Sequence, residues 1–330
     1  MKTKNYLRIS LLAASFAVLF ACKKDNSQSS STGSATTAAS VQTAADDQTM
    51  VSNENDAVSN DATSALNGNV SIAGAALNGT DKSGGAVLGG NGVLGFSICD
   101  ATVTYDTTST TKTITIVYDG INCQGNRIRT GTVIIAVPRG QHWRDKGAVV
   151  NVTIDTLKIT RVRDGKSIVI NGTKTITNTS GGLLVDLATT DSIVHDFSDN
   201  MSITFDNGSM RTWQVSKHRV FTYNDGIVET TTGSHSDGTN NNIAIWGTNR
   251  FGVGFTNMIT VPKVIAQSCD VRLVSGQDSI IRTDNITSVI TYGLDSNGNP
   301  ITSCPNGYLY AKLVWTNGNN GKVFTFIFPY

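Results

Sequence analysis

Ile98-Cys99-Asp100-Ala101-Thr102-Val103-Thr104-Tyr105, a Thr-rich turn and then Lys112-Thr113-Ile114-Thr115-Ile116-Val117-Tyr118 form the stretch whose reading decides the fold. A loop holding Cys123 and a third run from Arg127 to Gly131 follow. Cys99, Ala101, Val103 and Tyr105 share one parity, and Ile114, Ile116 and Tyr118 share another. A period of two is the signature of β-strands with one buried face. A looser version of the same plan returns between Cys269 and Cys304. In both segments a Tyr-Gly-containing strand end lies between the cysteines: Tyr118-Asp119-Gly120 in one, Tyr292-Gly293 in the other.

The same period runs on through Val133, Ile135 and Val137, then Val150, Val152 and Ile154. Parity then slips to Leu157 and Ile159, which predicts a β-bulge near Asp155-Thr156. Asp164-Gly165 is a strong hairpin signal, and Asn207-Gly208 and Asn224-Asp225-Gly226 mark two further turns. Between those turns Trp213, Val215, Phe221 and Tyr223 share one side with Arg211, Lys217 and Arg219, so that face is mixed. The chain closes with Leu309, Leu313 and Trp315, an Asn/Gly-rich turn, and Phe324, Phe326, Phe328 and Tyr330. Strands in sequence joined by short turns predict an all-β fold: an antiparallel meander forming a sandwich or incomplete barrel. A transmembrane barrel needs evenly spaced strands with one wholly apolar face. These strands are Thr-rich, uneven and often short.

The chain has 330 residues, 39% apolar and 15% charged, with a net charge of +1. That charge gives no electrostatic case for nucleic acid. Lys2, Lys4 and Arg8 precede an apolar run, Ile9 to Phe20, that is too short to span a bilayer. Leu19-Phe20-Ala21-Cys22 then resembles a bacterial lipobox, which implies cleavage before Cys22 and lipidation of its thiol, with fatty acyl chains such as palmitate. Anchoring would be stable because each buried CH₂ contributes about 0.8 kcal/mol. Residues 1–21 are therefore read as a lipoprotein signal peptide, and 22–45 as a flexible tether rich in Ser, Thr, Ala and Gln. Residues 46–95 are read as a short helix, with Asn67-Gly68 as its stop, and a Gly/Ala-rich connector. Residues 96–330 are the all-β domain with its two Cys-framed modules. Lys23-Lys24-Asp25-Asn26 resembles the start of Bacteroidota lipoproteins, leaving the periplasmic and cell-surface sides both open.

Cys22 aside, the cysteines are Cys99, Cys123, Cys269 and Cys304. An exported compartment permits disulfides. Of the pairings open to them, Cys99 with Cys123 and Cys269 with Cys304 fits the repeat best. A zinc site fails on spacing, since no histidine lies close to a cysteine in sequence.

The run from Cys99 through Lys112-Thr-Ile-Thr-Ile116, Cys123 and Arg127 to Gly131 resembles a group of Bacteroidota outer-membrane lipoproteins. Gly172-Thr-Lys-Thr-Ile-Thr-Asn178 and the closing Cys269–Cys304 module extend the likeness over about residues 96–330. The group has no established activity, so the resemblance implies no catalytic residues and no cofactor.

Candidate chemistry is sparse. Asp295-Ser-Asn297-Gly-Asn299 alternates oxygen ligands like a Ca²⁺ loop, but Pro300 stands where Gly is needed and no Glu follows, so a turn is favoured. Asp186, Asp191, His195, Asp196 and Asp199 form an acidic cluster around one histidine, read mainly as a solvated loop. No Gly-x-Ser-x-Gly, zinc pair or phosphate loop is present. Trp143, Trp213, Trp246 and Trp315 remain, and buried core is the usual fate of Trp on strands. Trp143 lies in the polar loop Arg139-Gly-Gln-His142-Trp143-Arg144-Asp145, which makes it the best candidate for an exposed indole. Arg139, His142, Trp143 and Arg144 are thus the candidate ligand residues, with an acidic glycan as the expected ligand. The expected role is a lipid-anchored, non-enzymatic binding or envelope-structural module at the outer membrane. The alternative is a hydrolase acting on polysaccharide or peptide, which would need paired carboxylates in a cleft.

Overall fold

The computed structural model describes residues 38–74 and 98–330. The lipobox, Cys22 and most of the Gly/Ala-rich connector lie outside the described residues. The strands are β1 (Ala101–Asp106), β2 (Lys112–Ile121), β3 (Arg127–Val137), β4 (Ala148–Arg161), β5 (Ser167–Asn178), β6 (Ile193–Phe205) and β7 (Met210–Tyr223). They continue with β8 (Ile227–Gly233), β9 (Ile243–Thr248), β10 (Gly254–Ala266), β11 (Arg272–Arg282), β12 (Ile286–Leu294), β13 (Tyr310–Asn317) and β14 (Val323–Pro329). All join one 14-stranded sheet in chain order, except that β8 pairs with β10 and β9 pairs with both β10 and β7. Every pairing is antiparallel, as the meander predicts. Among the described residues no pairing joins β1 to β14, so the sheet is an incomplete barrel rather than a sandwich.

The anticipated hairpins are in place. Gly165 and Gly208 sit in left-handed backbone at the β4–β5 and β6–β7 turns. The bulge falls where the parity slips: the β4–β5 register jumps between Ile154 and Leu157, and Thr156 adopts φ 50°. Opposite it, a Cβ on Gly131 would lie 2.5 Å from the Thr156 carbonyl oxygen, so only glycine fits there. Outward positions of β6, such as Asp196, Ser198, Asn200 and Ser202, present polar groups rather than an apolar band.

The helix is the main departure from expectation. α1 spans Ala38–Gly68, 31 residues, and so begins in the segment read as tether, well before Asp46. Ala38, Ala39, Ala44 and Ala45 favour helix. Val41 then fixes that first part by packing with Ile286, Trp315 and Phe324. The burial of α1 is not confined to one apolar stripe. Asp47, Gln48, Asn55, Asp56, Ser59 and Thr63 are as buried as Val51, Val58 and Ala62. The sheet curls around the helix, so that its polar side needs polar partners within the barrel.

Those partners are the inward cations. α1 carries no basic residue, and each of its acids is paired to the sheet or its turns. Asp46 meets Arg161 and Lys166 at 2.6 Å, and Asp47 meets Lys166 at 2.5 Å and Arg250. Glu54 pairs with Arg127 at 2.5 Å and Asp61 with Arg129 at 2.8 Å. Asp56 lies 2.6 Å from both Lys217 and Arg219. The mixed face of β7 is explained: Trp213, Val215 and Phe221 fill apolar space while Lys217 and Arg219 reach the helix. One helix stripe, Asn53, Ala57, Asn60, Asp61 and Ser64, stays half-buried.

Cys99 is bonded to Cys123 and Cys269 to Cys304, with Cα separations of 5.2 and 5.4 Å. The sequential pairing read from the repeat is the one the fold adopts.

Candidate functional site

A cleft of about 830 Å³ opens between the two stapled loops. Its floor is the half-buried helix stripe at Asn53, Ala57, Asn60 and Asp61. One wall is the loop Asn122–Asn126, held by Cys123; the other is Asp270–Leu273 with Asn306–Leu309. The walls touch at one point, where Gln124 Nε2 donates to the Asp270 carbonyl at 3.1 Å. Asp270 and Val271 both have left-handed φ, 55° and 57°. That conformation is costly for a β-branched residue and is retained only where its surroundings enforce it. Arg272 enforces it: Nε donates to Cys269 O, Nη1 to Gly307 O and Nη2 to Pro305 O.

The ionic groups of the cleft are satisfied among themselves. Arg127 holds Glu54, and Arg129 donates to Asp100 at 2.5 and 2.6 Å and to Asp61 at 2.8 Å. Burial pushes the Asp61 carboxyl up, against the pull of Arg129. At the inner end burial also acts on Asp56, but Lys217, Arg219 and Lys263 outweigh it and hold that carboxyl well below the usual range. Each acid of the cleft floor is thus paired with a cation. What the cleft turns toward solvent is Asn and Gln amides, the Asp270 carboxylate 3.6 Å from Arg272, and the Tyr308 ring, 44% exposed. Those groups can hydrogen-bond and stack. Among the described residues no group of three metal-ligating side chains comes together.

The residues singled out in the 139–144 loop fare differently. Trp143 is 0% exposed, and the expectation of an exposed indole is corrected. Asn69 caps a short helix, α2 (Val70–Ala73), and the loop folds over it. Trp143 N donates to Ile72 O, Arg144 N to Ala73 O and Arg144 Nη1 to Gly74 O. Arg144 is thus spent on backbone carbonyls, and His142 lies against Gly74 and beside Asp145. Arg139 and Arg144 are both exposed and His142 is half-buried, so of the four only Trp143 is withdrawn from the surface.

The acidic cluster around His195 is likewise dispersed. Asp199 faces inward and pairs with Lys174, which also donates to Asn55 of the helix at 3.0 Å. Asp196 faces outward to His218 at 2.7 Å, and Asp186 caps a 3₁₀ turn. Asp295 accepts from the backbone of Asn297 and Asn299, a turn as expected. His195 is buried between Trp143 and Phe221, each with ring centroids at 4.9 Å, and neither ring nitrogen has a protein partner. Burial, helped by nearby Arg219, pushes its pKa down to about 3 from 6.5.

That burial gives a pH prediction. The unfolded chain binds the His195 proton below pH 6.5, while the fold refuses it until about 3. Stability therefore falls as pH drops through this window, by up to about 1.4 kcal/mol per pH unit. His195→Phe, which suits the aromatic surroundings, should flatten that acid limb in denaturant titrations; an unchanged slope would show that His195 is not the group responsible.

Comparison with protein-family models, with curated proteins and with solved structures finds no match to this chain.

Proposed function

We propose that the chain is a non-enzymatic binding module, anchored at the outer membrane through lipidated Cys22, with the cleft between the stapled loops as its ligand site. The observation that carries this reading is the cleft itself: wide, framed by two disulfide-held loops, and lined by acids already neutralised by their own cations. A hydrolase would need a carboxylate free to move a proton, and Glu54, Asp56 and Asp61 are each held by Arg or Lys. The ligand the lining suits is polar and uncharged. The resemblance to Bacteroidota lipoproteins and the Leu19–Cys22 lipobox support the anchoring half.

Two experiments test the halves separately. Cys22→Ser should move the protein from the membrane to the soluble fraction, because the residues that follow have no apolar anchor. Retention on membranes after a high-salt wash would refute the anchor. For the cleft, Ala57→Trp fills the floor from the helix. A thermal-shift screen of uncharged glycans and peptides should find a stabilising ligand for the wild type, by about 3 kcal/mol at a hundredfold excess over Kd. The variant should lose that shift while melting like the wild type alone. A wild type that responds to nothing would leave an envelope-structural role as the reading.

A further inference from the structure

Of the four indoles, three are core residues: Trp143, Trp213 and Trp315 are 0 to 1% exposed. Trp246 is not. It lies on β9 between buried Ile245 and half-buried Gly247, on the outer face of the sheet. No core role explains it there. His235 stacks on it nearly parallel, with centroids 4.3 Å apart and planes 17° apart. This fixes the ring and covers one of its faces. Beside the indole is a shallow groove of about 360 Å³ that Trp246 lines with Thr256, Ile281, Arg282 and Thr283.

The strand registers lay these residues out in a row. Gln214 of β7 faces Trp246, Trp246 faces Thr256, and Thr256 faces Ile281. Ile281 is 38% exposed, so the row offers two apolar platforms separated by a hydroxyl and bordered by an amide. Two strand spacings separate Trp246 from Ile281, about 10 Å, which is the span of two sugar rings. The groove's one cation, Arg282, is engaged by Asp284 through Nε and Nη2. The site therefore has no charge to match.

We propose that this outer-face groove is a second binding site, taking two consecutive rings of a neutral polysaccharide, with Trp246 as the stacking platform. A pyranose ring presents an apolar C–H face and a rim of hydroxyls. An aromatic plane with hydroxyl and amide neighbours complements both features. An acidic polymer would gain no ion pair there. The proposal is independent of the cleft, which lies elsewhere on the barrel and shares none of these residues.

Tryptophan fluorescence tests it on the intact chain, because three indoles are buried and acrylamide reaches Trp246 selectively. The probes are dextran, mannan and xyloglucan, with alginate as the acidic control. At least one neutral polymer should reduce acrylamide quenching about twofold by covering the partly exposed ring, and should retard the protein in affinity electrophoresis. Trp246→Ala should abolish that retardation, and Trp246→Phe should restore part of it. Thr256→Arg, an outward substitution beside the indole, should also abolish it and guards against an unstable alanine variant. The proposal is overturned if no neutral polymer shields Trp246, if alginate alone does, or if Trp246→Ala and Thr256→Arg both bind as the wild type does.

Discussion

Asp56→Ala should destabilise the protein by about 3–5 kcal/mol, a large share of the stability of a single domain. Asp56 Oδ1 accepts from Lys217 Nζ and from Arg219 Nη2, both at 2.6 Å, and its other oxygen lies 3.6 Å from Lys263. All four side chains are buried. Removing the carboxylate leaves buried cations facing one another without their shared counter-charge. Burial already lowers the Lys217 pKa to about 8 despite Asp56, and Lys263 and Arg219 add to that repulsion. Arg219 is less exposed to the loss, because Nη1 also donates to Asn60 at 2.8 Å and Nε lies 3.1 Å from Glu229. Asp56→Leu combined with Lys217→Met should therefore cost less than the two single changes summed, since Arg219 keeps Glu229 and Lys263 keeps Asp278 at 3.9 Å. Urea titrations of the single and double variants give the coupling directly. Additive costs would show that the pair does not hold the helix.

Trp143→Ala should cost about 3–5 kcal/mol as well, the usual loss for an aromatic removed from a packed core. The indole meets His195 edge-on at 4.9 Å, and the backbone on either side is committed: N to Ile72 O at 2.8 Å, and O to Asn178 Nδ2 at 2.8 Å. Trp143→Phe should be much milder. The indole Nε1 has no hydrogen-bond partner in the protein, so phenylalanine gives up volume but no polar contact. Neither substitution should alter binding of an acidic glycan. If Trp143→Ala melts like the wild type and loses a glycan ligand, the loop is a binding surface after all.

Much of this architecture was legible because it is local. The two-residue period at Ile114–Tyr118, the bulge at Asp155-Thr156 and the hairpin turns depend on neighbours in sequence. The cysteine pairing followed from a plan that recurs in two segments, each holding both of its cysteines. The helix was only half legible. Asn67-Gly68 marks its end, but nothing near Asp46, Asp47, Glu54, Asp56 and Asp61 in sequence shows that they are paired within the fold. Their meaning lies in Arg127, Lys217 and Arg250, far away in sequence. The one available hint was Lys217 and Arg219 sharing parity with Trp213 and Phe221, a cationic stripe on a face that had to be buried. Trp143 misled for the converse reason: its polar neighbours suggest an open loop, whereas α2 folds over it. The cleft had no local signature, since its lining runs from Asn53 to Tyr330. Trp246 looked like the other indoles until its strand face was known.

A polar helix is the core of this barrel, held along its buried faces by paired charges. Isolated, a helix of this composition is marginal in water, so its protection must come from the sheet. Hydrogen exchange of the backbone amides of residues 47–59 measures this directly. These amides should exchange as slowly as those of β3 to β7, through global unfolding alone. Exchange in this segment at the rate of a free peptide, with the strands still protected, would mean that the sheet stands without the helix and would contradict the account.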